Sequence, residues 1–154
     1  MMVMTAKVNL KKITILLGAL ALAVIALVML LGRPAQETVT QPVSGNDARV
    51  KFLENFGWEV SPTPVESGRV KIPAEQSEVF DRYAALQKSQ GYDLTPYAGK
   101  TVMRYVYQIT NFPEATEPVY ATLLVHKNQI IGGDITNTGP EGKIQGFGMP
   151  GSGK

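Results

Sequence analysis

Cysteine is absent from all 154 residues, and histidine and tryptophan occur once each. Without a thiol the chain forms no disulfide, offers no thiolate nucleophile and cannot carry a lipid on an N-terminal cysteine, so an exported domain must be stable through packing alone. One histidine, His126, builds neither a metal site nor a Ser-His-Asp arrangement by itself, because both need partners converging on the ring. It ends an apolar stretch beside Lys127 and Asn128, which reads as a solvent-facing or capping position. Strong charge of one sign is missing too: the formal balance is only +2. No internal repeat is present. No reaction, metal or cofactor is implied by any spacing of residues, and the expectation is a protein that is not an enzyme.

What is present is an uninterrupted apolar run from Ile13 to Leu31, in which Thr14 carries the only hydroxyl and no residue is charged. These 19 residues at a helical rise of roughly 1.5 Å cover about 28 Å, close to the hydrocarbon thickness of a bilayer. A secretory signal would have a shorter apolar region before a small-x-small cleavage site. This run ends instead in Gly32-Arg33-Pro34, so an uncleaved single-pass anchor over residues 13–32 is expected.

Basic residues flanking a span stay on the cytoplasmic side. Lys7, Lys11 and Lys12 precede the run and only Arg33 follows it closely, which puts residues 1–12 in the cytoplasm and the remaining chain outside the cell membrane. The overall balance hides this division. Residues 1–33 carry four basic and no acidic side chains, whereas residues 34–154 carry 11 basic and 13 acidic ones. The exported part is therefore mildly acidic, and the sequence pI near 8.8 does not indicate a nucleic-acid partner.

After the run, residues 33–46 are polar and proline-containing and read as a stem. About 105 residues remain by the scale of one ordinary domain. Asn46 or Asp47 can cap a helix from about Ala48 to Phe56, with Val50, Leu53 and Phe56 on one face and Gly57 as its stop. Trp58-Glu59-Val60 reads as a short edge strand, Val70-Lys71-Ile72 as its extended partner across a proline-containing loop. A second helix is expected from Glu75 or Gln76 to Ser89, stopped by Gly91, presenting Val79, Phe80, Tyr83 and Leu86.

From Thr101 the period becomes two, with Met103, Tyr105, Tyr107 and Ile109 alternating against Val102, Arg104, Val106 and Gln108. Val119 to His126 is a further strand, Lys127-Asn128 a tight turn and Gln129 to Ile135 the return, giving a three-strand meander. Residues 137–154 are glycine-rich and read as a flexible tail in which Ile144 and Phe147 can dock. The expected architecture is α+β: an N-terminal transmembrane helix, then an extracytoplasmic domain over 47–136 with two helices on one face of an antiparallel sheet.

The segments Lys51 to Val60, Leu86 to Leu94 with Tyr97 to Lys100 behind them, and Ile130 to Ile135 resemble a family of membrane-anchored Firmicute domains, domain of unknown function four-eight-three-zero. The resemblance covers about Arg49 to Ile135. It implies a Gram-positive-type cell surface and a single α+β domain, and it brings no catalytic residue. More loosely, the layout from Met103 to Ile135 is similar to the sheets of PepSY-like and cystatin-like domains, which bind or inhibit proteins; layout alone does not convey function.

Gly132-Gly133-Asp134 lacks the strand-to-helix setting of a phosphate loop and reads as a strand bulge or a close approach under a helix. Asp93 with Lys100 reads as turn chemistry rather than a recognition pair. Trp58, Tyr92, Tyr97 and Arg104 form the candidate interaction surface, since aromatic residues and arginine suit contact surfaces. The expected function is a non-catalytic interaction domain of the bacterial cell envelope, anchored in the lipid bilayer through residues 13–32 and binding an envelope protein or peptide. A small-ligand sensor with a pocket between helix 76–89 and the sheet is the alternative, and a hydrolase using His126 or Asp134 the third reading.

Overall fold

A computed structural model describes residues 42–151. The apolar run Ile13–Leu31, the segment 1–12 expected in the cytoplasm and most of the expected stem lie outside the described residues, among which no helix is long and apolar enough to cross a membrane.

Helix α1 is Asn46–Glu54. It starts two residues earlier than the spacing predicts because Gly45, at φ 94°, turns the chain into the first helical residue and leaves no side-chain cap. The Asn46 side chain reaches across to a loop instead, where its Nδ2 donates to the Pro62 carbonyl at 2.7 Å. Asp47 sits in the first turn, where it complements the helix dipole. At the other end the Gly57 N–H donates to the Glu54 carbonyl at 2.8 Å with φ 90°. That left-handed step swings Trp58 back under the helix.

Strand β1 is Glu66–Lys71. Helix α2 is Glu78–Ser89, and the Ser77 hydroxyl caps it by accepting from Phe80 N at 3.2 Å. A short 3-10 turn, Thr95–Tyr97, follows. It is set up by Asp93, whose Oδ1 accepts from Thr95 N at 2.9 Å, and bonding to Thr95 holds the carboxyl below its ordinary value. Strands β2 (Thr101–Ile109), β3 (Val119–His126), β4 (Gln129–Asn137) and β5 (Ile144–Gln145) complete the chain. Lys127 and Asn128, at φ 48° and 61°, form the hairpin turn between β3 and β4.

The strands lie in sequence order, β1-β2-β3-β4-β5, with every neighbouring pair antiparallel. The predicted meander is thus extended by one strand at each edge. Trp58-Glu59-Val60 is not a strand; Val60 forms one isolated bridge to Ile109, flanked by bonds from Thr110 N to the Glu59 carbonyl at 2.9 Å and from Ser61 N to the Gln108 carbonyl at 2.8 Å. The predicted partner of that segment, 70–72, instead contributes to a longer strand paired with β2.

The register defines two faces. Tyr105 lies beside Leu123 and Leu123 beside Gly133, so Met103, Tyr105, Tyr107 and Ile109 share the first face with Val119, Ala121, Leu123 and Val125. This face packs on Phe52 and Leu53 of α1 together with Trp58, Tyr92 and Phe147. Leu53 is fully buried, a transfer that favours folding by about 1.5–3 kcal/mol. The second face carries Val102, Leu124 and Ile131 and packs on Phe80 and Tyr83 of α2.

The two helices therefore lie on opposite faces of the sheet, not on one. The reason is in the strands: Val102, Val106 and Leu124 make the second face apolar as well, and it too requires cover. Ile130 and Ile131 enter different cores by ordinary strand alternation, and the register shift between Leu124 and Val125 leaves Ile131 as the extra residue before Gly132.

The expected flexible tail is part of the fold through Phe147. Ile144 and Gln145 pair with Thr136 and Ile135. Phe147 is 1% exposed, and its ring meets Phe52 edge-on at 5.2 Å and Tyr92 at 6.2 Å. An aromatic residue among glycines docks where a bare apolar gap between α1 and the segment after α2 awaits it.

Candidate functional site

Helix α2 covers only part of the second face, and the space beside it is a cleft of about 340 Å³. Its floor includes Val70, Leu124 and Thr122; Phe80 and Tyr83 form the helical wall. Arg104, Asp134 and Thr136 supply its polar groups. A second cleft of about 480 Å³ continues across the sheet, sharing Arg104, Thr122 and Thr136 and adding Val65, Val106 and Tyr120. The two form one open trough running over β1 to β4.

Alternation places these side chains. Arg104 on β2 stands opposite Leu124 on β3, and Thr122 opposite Asp134 on β4, so all point to the second face. Asp134 is 6% exposed. Tyr83 donates its hydroxyl to Asp134 Oδ1 at 3.0 Å, and Thr136 donates to Oδ2 at 2.7 Å. Burial pushes the Asp134 carboxyl above its ordinary value, against the opposing pull of those two bonds and of Arg104. Burial, and next the Asp134 charge, raise the Tyr83 phenol far above its usual range. Tyr83 therefore acts as a hydrogen-bond donor rather than a phenolate. Arg104 donates from Nη1 to Glu66 Oε1 at 2.6 Å, with the arginine side chain 34% and the glutamate 65% exposed. Such an exposed pair adds little stability and can exchange partners.

Besides the Tyr83–Asp134 bond, a buried amide ties α2 to β4. Gln87 is fully buried, donates from Nε2 to the Gly133 carbonyl at 2.9 Å and accepts from Gly133 N at 2.8 Å. The side-chain amide thus joins helix to strand like an extra rung of sheet. Glycine is required beneath it: a β-carbon on Gly132 would stand 2.7 Å from Gln87 Oε1, and one on Gly133 2.1 Å from the Thr122 carbonyl oxygen. The Gly132-Gly133 pair is accordingly a close approach under a helix beside a bulge.

Of the four residues expected to form a surface, two are interior. Trp58 is 1% exposed, donates from Nε1 to the Phe147 carbonyl at 2.6 Å and stacks on Phe112. Tyr92 is 4% exposed against Phe147, and burial pushes its phenol up to about 12. Both are drawn in because Gly57 and Gly91, at φ 90° and 88°, fold the chain back at the helix ends. Tyr97 and Arg104 remain partly exposed, but they are not neighbours in one site. Tyr97 meets the His126 ring edge-on at 5.3 Å, with Lys100 Nζ 5.7 Å from its centre, whereas Arg104 lies in the trough.

Tyr83 and Asp134 are the residues that define the trough. Asp134 could be singled out as the one carboxylate in the apolar run Ile130 to Ile135, where an acid needs a partner. Its partnership with Tyr83, 51 positions away, had no local signal. Tyr105 and Tyr107 face away from Tyr83: Arg49 stacks over the Tyr105 ring at 3.8 Å and donates from Nε to the Tyr107 hydroxyl at 2.9 Å. Among the described residues no three His, Asp or Glu side chains converge on a point where a metal could bind.

The fold and trough define an α+β domain built on a five-stranded antiparallel meander with one helix on each face. The chain belongs to the family described as domain of unknown function (DUF4830), whose model matches residues 52–135. The matched stretch runs from within α1 to within β4, and β5 and Phe147 lie beyond it. No curated protein and no solved structure matches the chain significantly.

Proposed function

We propose that this domain binds an envelope protein or peptide in the trough on the second face, without catalysis, while residues 13–32 hold it in the bacterial cell membrane with the domain outside. The observation that carries the reading is the continuity of the two clefts across the sheet, with an apolar floor and with Arg104 and Thr136 common to both. A surface of that shape accommodates an extended segment whose side chains alternate between the trough and solvent. The apolar floor supplies affinity, and Arg104, once released from Glu66, supplies a fork for a carboxylate or carbonyl. The apolar run and its flanking lysines support the location.

Photocrosslinking in intact cells tests the reading. A photoreactive residue replacing Val65 or Tyr120 should capture a discrete partner, and one replacing Lys51, on the other side of the sheet, should not. Equal capture at all three positions, or none at both trough positions, rejects it. A small ligand is the second reading, favoured by the enclosure of Asp134 between Tyr83 and Thr136; in that case Tyr83→Phe would weaken ligand-induced thermal stabilisation without changing crosslinking at Val65.

A further inference from the structure

Four exposed basic side chains of the domain gather at one end of the strands, with Glu75 following Ala74 near them and Lys143 at the other end. One end of the sheet is formed by the last residues of β1, the first of β2 and the β3–β4 hairpin. It bears Arg69, Lys71, Lys100 and Lys127, all exposed, with His126 half-buried among them. Between these lies an open cleft of about 330 Å³ lined by Arg69, Thr101, Met103, His126 and Lys127, with no carboxylate in its lining. The opposite end carries Glu59 beside Thr110 and, in the β2–β3 loop, Glu114 and Glu117; Glu117 packs near Gly139, two residues before Glu141. A domain whose exported sequence is mildly acidic overall therefore presents a cationic end.

The chain enters the domain at that same end. Pro42 bridges to Gln129, and Val43 N donates to the Asn128 carbonyl at 2.7 Å. The first described residues are thus fastened to the hairpin that carries His126 and Lys127. The ten residues 32–41 between the apolar run and Pro42 span at most about 35 Å when fully extended. The hairpin end can therefore stand no farther than that from the end of the apolar run.

We infer that this end of the sheet docks on the anionic headgroups of the bilayer, with the cleft at Arg69 and Lys127 receiving headgroup phosphate. The inference rests on the anchored reading above. Four cations on one end, brought close by a short tether, meet a phosphate surface at high effective concentration, so weak individual contacts add up. Docking by this end stands the strands upright on the membrane and leaves the trough on the second face open to the side.

The test uses the full chain reconstituted in vesicles of phosphatidylcholine alone or with a third phosphatidylglycerol. Because the protein has no cysteine, Ala98→Cys at the cationic end or Ala115→Cys at the acidic end gives a unique site for a fluorophore. Nitroxide-labelled headgroups should quench the probe at 98 and not at 115. This quenching should require phosphatidylglycerol and disappear at about 1 M salt, where screening acts over about 3 Å. Arg69→Gln and Lys127→Gln should each lower the docked-to-free ratio about fivefold, with an unchanged unfolding transition.

Equal quenching in both lipid compositions, or at both probe positions, overturns docking while leaving the anchor intact. Loss of quenching on adding soluble poly(glycerol phosphate) at the same phosphate concentration overturns the lipid as partner in favour of a wall polymer. Failure of the chain to float with vesicles of either composition overturns the anchored reading, and the inference with it.

Discussion

On the first face of the sheet, α1, Trp58 and Phe147 close over Tyr107, Ala121, Leu123 and Ile135, each of which has no exposed surface. On the second face α2 covers one side, and Arg104, Tyr120 and Thr136 stay partly exposed beside Val65 at 54% and Ile144 at 58%. The same strands supply both faces, so the difference comes from what was laid over them. The first receives a helix and the C-terminal segment, whereas the second receives a helix and the turn carrying Leu94 and Tyr97, which leave the trough open. Stability should therefore reside mainly on the first face and recognition on the second.

Substitutions can break this contrast. Phe147→Ala should cost about 3–5 kcal/mol, read as a lower urea midpoint by circular dichroism; a loss below about 1 kcal/mol would mean the C-terminal segment does not seal the first face. Gln87→Ala should cost about 1–3 kcal/mol by leaving the Gly133 N–H without its partner, because the Gly133 carbonyl alone retains a donor, Gln90, at 3.0 Å. This tests whether that amide, rather than a broad apolar seam, is the main tie of α2 to β4.

Asp134 sharpens the comparison through pH. Burial raises its native value above the ordinary 3.8, so the native state binds this proton more tightly than the unfolded chain does. The stability it contributes is full below the unfolded-state value and is lost as pH rises through the raised native value. Asp134→Asn should remove that slope, making the variant progressively more stable relative to the parent between mildly acidic and neutral pH in urea titrations. A constant difference across that window would place the carboxylate in a solvated setting. The smallest effects belong to the open surface: Val65→Ser and Ile144→Ser should each change stability by no more than about 0.5 kcal/mol, while Val65→Ser lowers partner capture in the trough.

Much of the local structure was legible. The period-two run from Thr101, the Lys127-Asn128 turn and the stop at Gly91 are written in neighbouring residues, and backbone sterics enforce them wherever the segment lies. The loop 58–65 was not, because Trp58-Glu59-Val60 alternates like a strand while its surroundings offer only one bridge, at Ile109. The trough was half legible: an acid inside an apolar strand announced a buried polar group, but not that a tyrosine on α2 would meet it.

By itself, then, the sequence determined the α+β class, the central hairpin, a chain without disulfides and an apolar run set apart from the rest. Each follows from composition or from contacts between near neighbours. Tertiary structure alone decided that the helices take opposite faces, that Trp58 and Tyr92 are core, that Phe147 closes the first face, and that Tyr83, Arg104 and Asp134 share a trough. Those outcomes depend on which apolar surface finds cover first between segments tens of residues apart, a competition of burial energies that no local pattern encodes.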